Sequence, residues 1–203
     1  MSILRNLGTN DQGAASAEFA LVVWPLLLLM LGTIDVGRYL WAINQAEKAT
    51  QMGVRYAVVS DPVASVVNAD FVDYGIPGGD AVPTATFDSA VCTSTGDCTV
   101  TGAASGANGR NPAAFTAIVD WMRHFDPAVT APKVTVTYQN VGVGYSGDPT
   151  GPDVAALTTV EVKELPFQSL ILLGMNVGLP TIRASLTLED GECSTTDDCG
   201  WSN

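Results

Sequence analysis

The sequence predicts an α+β protein: a long N-terminal helix, transmembrane in its first half and amphipathic in its second, carrying an antiparallel β-sheet head domain. Three observations lead there. Residues Phe19–Leu31 read FALVVWPLLLLML, an unbroken apolar run. From Val36 to Ala57, apolar residues recur at three- to four-residue steps, and no proline follows Pro25 until Pro62. Past residue 130, three segments alternate apolar and polar residues with the period of a half-buried strand.

The helix comes first. Residues 14–34 form a 21-residue stretch that rises about 31 Å, the thickness of a bilayer's hydrocarbon layer. A cleaved secretory signal would need a small-x-small site after the apolar run. The run is followed instead by Gly32-Thr33-Ile34-Asp35-Val36, and the small cluster Ala14-Ala15-Ser16-Ala17 precedes it, so the segment reads as a retained anchor. Over residues 35–60, Val36, Leu40, Ile43, Ala46, Val54 and Ala57 fall on one face, while Asn44, Glu47, Lys48 and Gln51 cover the other. A helix from Ala14 to Val59 would have 46 residues and a length of about 69 Å. Pro25 removes one backbone hydrogen bond within it and should bend it.

The head, residues 61–203, is acidic. Residues 1–60 carry four acids and four bases, whereas the remaining 143 residues hold 17 acids and five bases, the whole net charge of −12. Such a surface repels phosphate backbones, which argues against a nucleic-acid partner. From Asp61 to Gly109 there is no Lys or Arg but seven Gly and three Pro, and only short pieces such as Thr84–Phe87 read as strand. Asn111-Pro112 marks a helix start, and Phe115, Ile118, Val119, Met122 and Phe125 give that helix its apolar face up to Asp126-Pro127. Strands are expected around Val134–Tyr138, Val160–Lys163 and Ile182–Leu188. Between the last two, Phe167–Gly178 contains Leu170-Ile171-Leu172-Leu173; it is too short for a second span and reads as a short buried helix.

Four cysteines lie in two similar loops, Cys92-TSTGD-Cys98 and Cys193-STTDD-Cys199. Three pairings are open; two local disulfides, each contributing about 2 kcal/mol through loop closure, fit the spacing better than zinc, which needs tighter pairs or histidines. The only histidine is His124, placed near a helix C-terminus where a cation is favoured. Disulfides put the head in an oxidising compartment, and they orient the chain better than Arg5 and Arg38, which flank the span almost evenly. No catalytic residue, metal site, cofactor or small-molecule substrate is expected. The acids Glu189, Asp190, Glu192, Asp197 and Asp198 follow no calcium-loop spacing and read as a solvated tail.

Glu18 is an acid at the edge of the apolar run, where a membrane helix tolerates charge poorly. Five residues before it stands Gly13, and Phe19 follows it. Glycine, four residues, then Glu and an aromatic is the pattern of a type IV prepilin processing site. The stretch from Gly13 to Ala57 resembles the TadE-like pseudopilins of tight-adherence (Flp, type IVc) pilus systems, in Ala17-Glu18-Phe19-Ala20-Leu21, Pro25, the leucine run, Gly32, Asp35 where Glu is more usual, and Gly37-Arg38. Val160-Glu161-Val162 and Leu165-Pro166-Phe167 extend the likeness, while residues 61–150 match only in general character. The resemblance implies a leader of residues 1–13, cut by a prepilin peptidase between Gly13 and Ala14. The absence of a side chain lets Gly13 lie extended in the protease. It implies that Glu18, one turn from the new amine of Ala14, pairs with the N-terminal ammonium of a neighbouring pilin. It also implies an inner-membrane, single-pass protein with a periplasmic head, whose partners are other pilins and the assembly platform. An uncleaved TadG-like assembly factor, and a membrane-tethered periplasmic enzyme or calcium-dependent adhesin, remain alternatives.

Overall fold

The computed structural model of the protein describes residues 11–148, 151–169 and 176–188. The architecture is α+β: a long, largely apolar N-terminal helix and a five-stranded antiparallel sheet. The helix, α1, covers Asp11–Val59 and runs through Pro25 without interruption. It ends where the periodicity ends and starts three residues before the expected Ala14. Two compact units divide the chain, Met1–Ala42 with Phe167–Val177, and Ile43–Pro166 with Gly178–Asn203.

In the first unit, the described side chains of α1 from Ala15 to Ala42 are exposed or half-buried with one exception, Asp35. Among the described residues, this helix is the one long and apolar enough to cross a membrane, which fits single-pass anchoring. The unit also contains most of a two-stranded sheet made by Pro166–Gln168 and Asn176–Gly178. The expected helix over Phe167–Gly178 is therefore wrong at both ends. Phe167 and Ser169 are buried and Gln168 is exposed, the alternation of a strand, and Asn176 and Gly178 are poor helix formers. Leu170–Leu173 lie outside the described residues.

The second unit is built on a sheet whose strands are β1 (Ser89–Cys92), β2 (Thr99–Thr101), β3 (Val134–Gln139), β4 (Leu157–Val162) and, last in the chain, β7 (Ile182–Thr187), the short pair in the first unit being β5 and β6. Their order is β2-β1-β3-β4-β7, with every neighbour antiparallel. Ala90, Val136, Tyr138, Val160 and Val162 are buried in it. The three alternating segments became β3, β4 and β7, with bounds shifted by a few residues. Glu161, expected on a wet face, is nearly buried and is neutralised by Arg183 across the ladder at 3.1 Å and by Lys163, two residues further along the chain, at 3.3 Å. A second helix, α2 (Pro112–Arg123), begins as expected: the Asn111 side chain accepts from the amides of Ala113 and Ala114. It buries Phe115, Ile118, Val119 and Met122 but stops three residues before Asp126. Within the same unit the later part of α1 buries Ala46, Ala49, Thr50, Val54 and Ala57. It meets α2 closely at Gly53, where a Cβ would lie 2.6 Å from Met122 Cγ.

Two features of residues 61–110 escaped the sequence. Thr84–Phe87 is a turn rather than a strand, with the amides of Thr86 and Phe87 both donating to the Pro83 carbonyl. The strands of this region are instead β1 and β2, a hairpin tied by the Cys92–Cys98 disulfide, with Cα atoms 4.4 Å apart. The remainder is held by polar side chains from later in the chain. The Val63 amide donates to the Tyr138 hydroxyl at 2.9 Å, and the Phe71 amide to Asp153 at 2.7 Å. Asn140 donates to the carbonyls of Val82 and Phe87. A glycine- and proline-rich stretch with few helix formers is thereby ordered by long-range hydrogen bonds, each satisfying a backbone group that burial would otherwise strand.

Candidate functional site

The residues singled out for processing and assembly lie in the first turns of α1. Gly13 and Ala14 are helical, so the extended Gly13 expected for a protease complex is not its conformation here; cutting would require that first turn to unwind. Glu18 follows Ala14 by four residues on the same helix and is exposed. At 1.5 Å of rise per residue the two sit about one turn apart, on one face. The apolar side chains beyond Glu18, from Phe19 through Leu31, are predominantly exposed among the described residues.

A second constellation lies at the far end of this apolar stretch. Asp35 is only 7% exposed. Its carboxylate accepts from the Ser169 hydroxyl, contributed by the segment that follows β5, and from Arg38 Nη1 at 3.3 Å. The Arg38 guanidinium lies 5.4 Å above the Phe167 ring, and Tyr39 meets the same ring edge-on at 5.3 Å. An acid that follows an apolar span is thus met by a hydroxyl donor and a cation, and that cation in turn lies over an aromatic ring. Sequence reasoning had used Asp35 only as a point of family likeness. The signal that could have found it was the lone carboxylate directly after Ile34, which needs a partner if it is not in water.

The apolar helix, the Gly13-to-Glu18 spacing and the acid at position 35 all lie within one stretch that resembles a known family. Residues 13–55 match the family model of TadE-like protein. The TadE-like match covers about a fifth of the chain, from the Gly13 position through the anchor and into the helix that packs in the second unit. No curated protein and no solved structure matches the chain.

The other sequence-singled residues are placed as follows. Cys92 and Cys98 form the disulfide described above, while Cys193 and Cys199, like the acids from Glu189 to Asp198, lie outside the described residues. His124 caps the end of α2, with its ring exposed and Nδ1 donating to the Asp120 carbonyl at 2.8 Å. It borders Trp121, which stacks on Tyr56. Among the described residues no three His, Cys, Asp or Glu side chains converge as metal ligands. Asp153, buried and receiving three backbone amides, is a structural carboxylate: Phe71 donates to one oxygen, Gly147 and Asp148 to the other.

Proposed function

We propose that this chain is a pseudopilin, or minor pilin, of a tight-adherence type IVc pilus system, made as a precursor and cut by a prepilin peptidase after Gly13. The TadE-like match supports the broader reading, a pilin-like protein taking part in Tad pilus assembly alongside other pilus components and the membrane. The observation that carries the finer reading is that the match opens at Gly13 and that Glu18 stands exposed one turn beyond Ala14, at the mouth of a largely exposed apolar helix. In this reading residues 1–13 are the leader, 14–34 the anchor, 35–60 its amphipathic continuation and 61–203 the periplasmic head. The role is structural rather than catalytic. The Cys92–Cys98 disulfide supports an oxidising compartment for the head.

Each residue then has a physical task. The apolar helix resides in the bilayer before assembly and against neighbouring helices afterwards. Cleavage frees the ammonium of Ala14, and Glu18 of an adjacent subunit pairs with it in an apolar setting where neither charge is tolerated alone. The peptidase reads Gly13, whereas the carboxylate acts after the cut.

The test is N-terminal sequencing of protein from peptidase-positive membranes, with co-purification of the other pilus components. Mature protein should begin at Ala14, and Gly13→Leu should block the cut. Glu18→Ala should insert and be cut normally yet lose association, with Glu18→Asp intermediate. Met1 intact beside an active peptidase would favour an uncleaved assembly factor. Normal assembly of the cut Glu18→Ala protein would exclude the charge pairing.

A further inference from the structure

In the first unit, the only buried side chain described between Ala15 and Ala42 is a carboxylate. On either side of Asp35 the helix surface is apolar and exposed: Leu31 and Ile34 before it, Val36, Leu40 and Trp41 after it, with Trp41 70% exposed. Were the bilayer to end at Ile34, Asp35 would stand in water and need no cover, and Leu40 and Trp41 would waste apolar area on solvent. The reverse arrangement accounts for both facts. An apolar layer reaching past Asp35 makes an uncovered acid costly and makes exposed Leu40 and Trp41 favourable.

We infer, resting on the membrane-anchored reading above, that the outer boundary of the bilayer lies at Trp41, not at Ile34, and that the segment Phe167–Ser169, the end of β5 and the residue after it, is a membrane-surface element docked at headgroup level. The partner of this surface is a lipid bilayer. The depth fits. Glu18 and Trp41 are 23 residues apart along α1, about 35 Å of helix, which lies between the hydrocarbon thickness of about 30 Å and the full bilayer thickness of about 40–45 Å. Glu18 then marks one interface. The other carries Arg38, Tyr39 and Trp41, the residue types that settle where apolar stems meet wet headgroups.

Phe167 supplies the second independent observation. Its ring is fixed between Tyr39 and the Arg38 guanidinium, and Ser169, two residues on, donates to Asp35. The same short segment therefore contacts α1 at positions 35, 38 and 39, within the stretch assigned to the interface. Shielding by Ser169 and Arg38 lets a carboxylate sit at that depth without facing lipid.

The experiment uses the full chain in vesicles of phosphatidylethanolamine and phosphatidylglycerol, with tryptophan quenching by brominated lipids and by aqueous iodide. Trp41 is isolated by Trp24→Phe, Trp121→Phe and Trp201→Phe, and position 168 is read as Gln168→Trp after Trp41→Phe is added. Both probes should be quenched several-fold more by bromines near the headgroup end of the acyl chain than by iodide. Adding Ser169→Ala should release position 168 toward iodide while leaving Trp41 in place. Trp24 alone serves as the reference: six residues beyond Glu18, about 9 Å along the helix, it should be quenched by bromines within the acyl chains and not by iodide. If bromines do not quench Trp24, the membrane-anchored reading itself fails. If Trp24 is quenched but Trp41 and position 168 answer to iodide, the boundary lies before Asp35 and this inference is overturned. Protection of Trp41 from both quenchers that strengthens with protein density would show a second copy covering the face, which also overturns it.

Discussion

Removing the buried Asp153 carboxylate should unfasten the longest irregular stretch of the second unit. Asp153 is 4% exposed and accepts from the amides of Phe71 at 2.7 Å, Gly147 at 2.9 Å and Asp148 at 3.0 Å. A hydrogen bond to a charged group contributes about 1.5–3 kcal/mol, and a buried donor left unmatched costs about 1–3 kcal/mol. The Phe71 amide is buried and would be stranded in full, whereas the other two are partly accessible and would recover water. Asp153→Ala should therefore cost about 3–5 kcal/mol, a large part of the about 5–15 kcal/mol that holds a typical domain folded. Asp153→Asn keeps one acceptor oxygen for Gly147 and Asp148 but turns an amide donor toward Phe71, so its cost should be smaller, about 2–3 kcal/mol. The assay is urea unfolding of the full chain in detergent micelles followed by near-UV circular dichroism, with hydrogen exchange at the Phe71 amide. Exchange there should accelerate in both variants, and more in the alanine. A loss below about 1 kcal/mol for Asp153→Ala, or equal losses for the two variants, would refute the reasoning that the carboxylate organises this loop.

Two further outcomes follow from packing and burial in the same unit. Gly53→Ala should destabilise by about 1 kcal/mol despite the better helix propensity of alanine, because its Cβ would meet Met122; pairing it with Met122→Ala should relieve the clash, and a thermal melt of the two variants checks this. Burial pushes the Tyr138 phenol well above its ordinary range, the Val63 amide offsetting this only in part. A raised folded value means that the contribution is fully present below the unfolded pKa of about 10 and is lost as pH rises through the folded one. Unfolding midpoints should accordingly fall above about pH 10, and Tyr138→Phe, though less stable at neutral pH, should lose less over that window.

The sequence by itself determined the features that a short window of chain encodes. The apolar run and its amphipathic continuation set α1 to its last residue, because a 3.6-residue period and the lack of a proline between Pro25 and Pro62 are local properties. Period-two alternation located β3, β4 and β7, and Asn111-Pro112 located the start of α2, since a cap is made within one turn. The Gly13-to-Glu18 spacing was likewise readable, being a spacing along one helix. Tertiary structure decided whatever depends on partners far apart. The β1–β2 hairpin is too short to show a period, and pairing with β3 makes it sheet. Residues 61–88 have no periodicity because Tyr138, Asn140 and Asp153, more than fifty residues away, satisfy their backbone. Phe167–Ser169 looked helical through its neighbouring leucines, but it is extended against α1. The burial of Asp35 depends on a serine 134 residues later, which no local pattern announces. A lone acid after an apolar run states in sequence that a partner is needed; only the folded chain says which residue supplies it.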